Sequence, residues 1–194
     1  MNKHVILVTG TPCVGKTTLA NKLAEHLNAQ YINLTDLSKK ENLVLGEDKE
    51  RHTTIINEPK MRRKLRAIIK KAKMDVVVDG HYAAAVTPKA LVTNVFVLRR
   101  NPEELRQFMR NRGYTERKQE ENLAAEILDV CLVEALRKQD KPNVCELNIT
   151  SKSLENVLSE VLAVLERKKK CCTGCVDWLG MLEREGKTDE YLKL

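Results

Sequence analysis

No apolar run in this 194-residue chain approaches the roughly 18 residues that a membrane-spanning helix requires. The 42% of hydrophobic residues therefore belong to the core of a globular protein with no membrane partner. No secretory or transit segment is expected either, because Met1-Asn2-Lys3-His4 leads directly into a strand-like run. The expectation is a cytoplasmic protein, or a nuclear one if the source is a eukaryote, whose six cysteines stay as free thiols. Cys171-Cys172-Thr173-Gly174-Cys175 lacks a C-x-x-C partner elsewhere, and a structural zinc site needs four ligands, so free thiols are favoured over metal there. Acidic residues are in deficit, and the net charge of +7 points to an anionic partner: nucleotide, nucleic acid or both.

What is present is concentrated near the amino terminus. Gly10, Gly15, Lys16 and Thr17 satisfy G-x-x-x-x-G-K-[ST], the phosphate-loop pattern. Val5 to Val8 before it read as a buried strand, and Leu19, Ala20, Leu23, Ala24 and Leu27 after it form one apolar helix face. Strand, loop and helix in this order turn unpaired backbone N–H groups and a positive helix end toward a nucleotide's phosphates. Lys16 is then placed to reach the β- and γ-phosphates, and the Thr17 hydroxyl to ligate Mg²⁺.

Further strands are expected at Gln30–Leu34, Asp75–Asp79, Asn94–Leu98 and Val144–Ile149, interleaved with helices. That alternation predicts an α/β P-loop NTPase fold: a five-stranded parallel, doubly wound sheet flanked by helices, with right-handed crossovers. Thr35 or Asp36 is the expected cap of the second helix. Residues 41–58 are charged and weakly periodic and read as an exposed, mobile segment. Pro59 starts a strongly basic helix to about residue 73, whose cations are either a solvated face or a contact for RNA or an acidic protein.

Asp79 ends the clearest buried strand, where a Walker-B-type carboxylate would hold Mg²⁺, and His81 follows as a candidate positioning group or proton relay. Asn101 and Pro102 begin a helix that Gly113 breaks. One long helix is expected from about Thr115, with Leu123, Ile127, Val130, Cys131 and Ala135 facing inwards. Arginines cluster at the break, and Arg112 is the candidate to clamp phosphates from a closing lid. Residues 167–170 form a basic break before a short docking helix around Trp178.

The phosphate loop, Tyr31-Ile32-Asn33 with Asp36-Leu37, Asp79-Gly80-His81, Val95 to Arg99 and Arg112-Gly113-Tyr114 resemble, in order and spacing, the adenylate kinase isoenzyme 6 family. Its members are small adenylate kinase/ATPases of archaea and the eukaryotic nucleus that act in small ribosomal subunit maturation. The resemblance covers roughly residues 4–165 and implies a kinase domain over 1–166. Within it would lie a nucleoside-monophosphate-binding segment at 33–56 and a short lid at 111–121, with 167–194 as a tail. It implies ATP contacts from Cys13, Gly15, Lys16, Thr17, Thr18 and Arg112. Catalytic roles would fall to Lys16, Asp79 and His81, with Mg²⁺ on Thr17 and Asp79. Asp36 and Lys39 are the AMP-side candidates. The absence of cysteine between 100 and 125 suits a short lid without zinc.

The implied activity is phosphoryl transfer between ATP and AMP, with ATP hydrolysis, and the implied partners are ribosomal protein uS11 and small-subunit rRNA. Two other readings share the phosphate loop: an ATP-gated assembly factor with little kinase activity, and a kinase of another small metabolite. Two residues depart from the family pattern. Cys13 replaces a glycine where the loop favours a glycine-like backbone, and Lys39 replaces an arginine, losing bidentate phosphate geometry.

Overall fold

A computed structural model describes residues 3–48 and 53–192. In chain order the elements are β1 (Val5–Gly10), α1 (Lys16–His26), β2 (Gln30–Asn33), α2 (Leu34–Lys40), β3 (Val44–Asp48), β4 (Thr53–Ile56) and α3 (Glu58–Lys71). There follow β5 (Val76–Asp79), α4 (Ala83–Val86), β6 (Asn94–Arg99), α5 (Pro102–Asn111), α6 (Glu116–Ile127) and α7 (Val130–Lys138). The chain closes with β7 (Val144–Asn148), α8 (Leu154–Leu165), α9 (Trp178–Glu185) and α10 (Thr188–Tyr191).

Five strands form one parallel sheet in the order β2-β5-β1-β6-β7. Because side chains alternate across a strand, β1 sends Ile6 and Val8 to one core and Val5 and Leu7 to the other. Helices α1, α5, α6 and α8 cover the first core, and α2, α3, α4 and α7 the second. Each fully buried Leu, Ile or Phe contributes about 1.5–3 kcal/mol to holding these layers together. Among the described residues no helix is long and apolar enough to cross a membrane.

Three expectations about secondary structure are corrected. The segment over 41–58, read as exposed and mobile, carries an antiparallel hairpin, β3 with β4, although residues 49–52 lie outside those described. Its exposed Val44, Leu45 and Ile55 gave no buried period to detect. The cap of α2 is Asn33, whose side chain accepts from the Thr35 and Asp36 amides. The long helix after Thr115 is two helices, because Asp129 adopts a left-handed conformation (φ 58°) between α6 and α7. Val130, expected inside, is consequently 50% exposed. Ser153 and Asn101 cap α8 and α5, and Gly113, at φ +70°, follows the end of α5.

Among the cysteines, Cys13, Cys131, Cys145 and Cys171 are free. Cys172 and Cys175 are not free thiols as expected but a disulfide, their Cα atoms brought to 6.1 Å by the turn between them.

Candidate active site

The site lies at the carboxyl ends of β1 and β5, where parallel sheets of this class bind ligands. The chain leaves β1 at Gly10 and enters α1 at Lys16. Gly10 is obligatory there: at φ +138° a Cβ would stand 2.6 Å from the Leu98 carbonyl oxygen. Gly15, at φ +113°, directly precedes α1, and the first-turn amides of that helix face the loop. The Lys16 ammonium donates to the Thr11 carbonyl across the loop at 2.7 Å. Burial lowers its pKa, while the nearby Asp79 charge works against that shift.

Asp79 is buried, and its Oδ2 accepts three hydrogen bonds, from the Thr17 hydroxyl at 2.7 Å, Asn33 Nδ2 at 2.8 Å and the Tyr31 hydroxyl at 2.9 Å. Burial pushes the Tyr31 phenol up to about 12, with Asp79 adding to it, so this phenol stays a donor. These bonds fix the carboxylate with its Oδ2 against the Thr17 hydroxyl. Hydroxyl and carboxylate oxygens are the hard donors that suit a small divalent cation.

His81 follows the strand end, its carbonyl held by the Thr9 hydroxyl at 2.9 Å. The surrounding protein pulls the imidazole pKa down to about 4, and the Lys16 charge acts in the same direction. His81 is therefore neutral at physiological pH. As a whole residue His81 is exposed.

Cys13 sits in the loop at φ +67°, the left-handed region that its replacement of glycine led one to expect. Cys13 and Tyr114 pack against the same core, and burial together with the neighbouring Cys13 raises the Tyr114 phenol to about 12. That packing brings the Arg112-Gly113-Tyr114 turn against the phosphate loop. Arg112 itself is exposed and has no ion pair among the described residues. Thr18 is exposed in the first turn of α1. The structure thus gathers Cys13, Gly15, Lys16, Thr17, Thr18, Asp79 and His81, with Arg112 at the border. Asp36 and Lys39 are exposed on α2, one element away, and neither side chain bonds to the loop.

Sequence reasoning gave no role to the residues that brace the loop. Thr11 donates to Glu126 Oε2 at 2.5 Å. Glu126 Oε1 in turn accepts from Arg99 Nε at 2.9 Å, the Arg100 amide at 3.0 Å and Trp178 Nε1 at 3.1 Å. Arg99, 1% exposed, also pairs with Asp129 and with buried Glu146. Arg100 donates to the Val14 carbonyl at 3.2 Å. Glu146 Oε2 accepts the Cys175 amide at 2.9 Å, so the tail beyond residue 170 is wired into the same cluster. The paired arginines ending β6 were the available signal; Glu126, alone in a polar helix, offered none.

The AAA domain family model matches residues 6–129. The chain is 35% identical over 173 residues to a protein of Methanocaldococcus jannaschii named "Putative adenylate kinase", covering 89% of this chain and 92% of that one. A protein of the same name from Thermococcus kodakarensis is 38% identical over 174 residues, covering 90% and 92%. Among solved structures, the shikimate kinase of Acinetobacter baumannii superposes with a TM-score of 0.61 at 15% identity, over 87% of this chain and 96% of that one. A sugar kinase from Janibacter gives 0.57 at 16% identity, over 85% and 95%. These two likenesses speak for the fold alone. The matched domain contains the phosphate loop, Asp79, His81 and Arg112, and the archaeal likeness runs through nearly all of both chains, so the chain belongs to the adenylate-kinase-like family of AAA-domain, P-loop proteins.

Proposed function

We propose that the protein is an adenylate kinase that moves the γ-phosphoryl group of Mg²⁺-bound ATP to AMP, and that it hydrolyses ATP when water takes the acceptor's place. The observation that carries this reading is the Thr17–Asp79 hydrogen bond at the Lys16 end of the loop. It joins a hydroxyl to a hydrogen-bonded carboxylate, and that pair supports reading the two as the metal ligands of a P-loop enzyme. Thr17 and Asp79 would hold Mg²⁺, which would neutralise charge on the β- and γ-phosphates.

The chain's own residues do the rest. Amides of the loop and the first turn of α1 bind the phosphate oxygens, and Lys16 brings its charge to them. Neutral His81 accepts a hydrogen bond from the attacking group, and Arg112 swings in to clamp the transferring phosphoryl. On the acceptor side, Asn33 joins Asp79 to the start of α2, which supports the reading that α2 with Asp36 and Lys39, together with the β3–β4 hairpin, would bind AMP. The names of the archaeal relatives support AMP as acceptor.

The test is ADP formation from ATP with and without AMP, with Lys16→Ala as control. AMP is expected to accelerate ADP formation, and Lys16→Ala to abolish turnover. Unchanged turnover on adding AMP would leave the protein an ATPase or a kinase of another small metabolite. Full activity in Lys16→Ala would overturn the phosphate-loop reading altogether. A role in small-subunit maturation, through uS11 and rRNA, rests on the motif resemblance and the +7 charge. Adding purified uS11 and rRNA to the same assay is expected to change ATP turnover; no change would argue against that role.

A further inference from the structure

At the opposite end of the sheet a second concavity, about 900 Å³, opens where the chain enters β1, β6 and β7 and leaves α8. β1 spans six residues at about 3.3 Å each, which sets this cleft roughly 20 Å from the phosphate loop. Its volume lies in the range of small-ligand sites, about 300–1,000 Å³. Five cationic side chains line it: Lys3, Lys141, Arg167, Lys169 and Lys170. No Asp, Glu, Phe, Tyr or Trp side chain lines it among the described residues.

The pairing of those cations matters more than their number. Lys3 donates to the Ile69 and Ala72 carbonyls, which fixes the side chain without cancelling its charge. Lys169 is paired with Glu160 at 2.7 Å. Lys141, Arg167 and Lys170 have no hydrogen bond or ion pair from their side chains among the described residues. Like charges gathered in a concave wall of low dielectric focus their field outward and raise the local concentration of anions. The basic α3 helix presents its charges on a convex surface instead, and Lys64 there is already paired with Glu41.

The lining also selects among anions. Bases and nucleosides are held by aromatic stacking, and carboxylates commonly take ribose hydroxyls; the cleft supplies neither. We propose that this cleft binds a run of closely spaced phosphates, recognised by charge alone, of the kind found in an RNA backbone or in inorganic polyphosphate. The site is independent of the nucleotide site and of the phosphoryl transfer proposed for it.

The experiment measures binding of a short fluorescent single-stranded RNA across a salt series, and competition by inorganic tripolyphosphate. Wild type is compared with the combined Lys141→Gln, Arg167→Gln, Lys170→Gln variant and with an Arg62→Gln, Arg63→Gln, Arg66→Gln variant of equal charge loss. The cleft variant is expected to bind roughly tenfold more weakly, and its slope of log affinity against log salt to be shallower by about 2, since single strands lose about 0.7 per phosphate contact. The α3 variant should stay near wild type. Competition by tripolyphosphate would mean that small polyphosphates fill the cleft. RNA binding without such competition would assign the cleft to a nucleic-acid backbone, and tripolyphosphate binding without RNA binding to a small anion. Equal losses in both variants, no loss in the cleft variant, or no binding of either probe by wild type would overturn the proposal. All three cleft residues are exposed, so folding should hold; if melting shows otherwise, Lys141→Gln alone carries the test. Adenylate kinase turnover should be unchanged in the cleft variant, so failure of one reading leaves the other standing.

Discussion

The two sides of Asp79 are built differently. On the phosphate-loop side, Thr11, Val14 and Asp79 are each tied by hydrogen bonds to residues far away in sequence. Behind them stands a buried cluster in which Arg99 meets Glu126, Asp129 and Glu146. On the side that would take the acceptor, the β3–β4 hairpin leaves Leu45 65% and Ile55 49% exposed. Transferring charge demands donors fixed in advance, because reorganising them during the reaction consumes the stabilisation they offer. Admitting and releasing an acceptor demands a surface that moves. The phosphate-loop half is held by hydrogen bonds from distant residues, whereas the hairpin turns apolar side chains to water.

The sharpest test of that contrast is at the boundary between the halves. Arg112→Ala is expected to lower turnover by roughly 10³–10⁵, the range for arginines that stabilise a transferring phosphoryl group. Stability should move by no more than about 0.5 kcal/mol, because the side chain is exposed. A large fall in melting temperature with unchanged turnover would make it a structural residue. Next in size is the brace. Glu126→Ala strands the Thr11 hydroxyl, the Arg100 amide and the Trp178 indole and unbalances a buried arginine, so a loss of about 3–5 kcal/mol is expected in chemical denaturation. A loss below about 1 kcal/mol would break the claim that the phosphate-loop side is over-determined.

Leu45→Ser with Ile55→Ser should change stability by only about 0.5 kcal/mol, as both side chains already face water. Steady-state kinetics should show the change in the acceptor's KM, with that for ATP untouched. A shift confined to ATP would reverse the assignment of the two halves. The remaining test concerns His81. Its folded pKa, about 4, lies below the 6.5 of an unfolded histidine, so between these values the unfolded chain binds more protons. The contribution is complete above pH 6.5 and is lost as pH falls toward 4. His81→Asn should flatten the acid limb of a stability–pH curve in that window, and an identical limb would place the histidine wholly in solvent.

The five parallel strands were legible because each is a short apolar run with turn residues at its ends, and Val76-Val77-Val78 leaves little alternative. The loop announced itself for a similar reason, since backbone geometry restricts Gly10 and Gly15 to one residue type. The hairpin was hidden because its side chains face water and carry no buried alternation. The break between α6 and α7 was hidden for the opposite reason. Leu123, Ile127 and Val130 continue one helical period across it, while Arg99, 30 residues from Asp129, takes both the Glu126 carbonyl and the Asp129 carboxylate. Glu126 itself looked like any solvent-facing glutamate, since only the fold brings Thr11, Arg99 and Trp178 to it.

The bond from Trp178 to Glu126 also has a temporal meaning. A ribosome makes the phosphate loop first, yet the carboxylate that braces Thr11 receives this donor only once residue 178 has emerged. At about 5–20 residues per second that interval is roughly 10–30 s. During it the nascent chain carries a nucleotide loop whose support is incomplete, and the site first made is among the last to be finished.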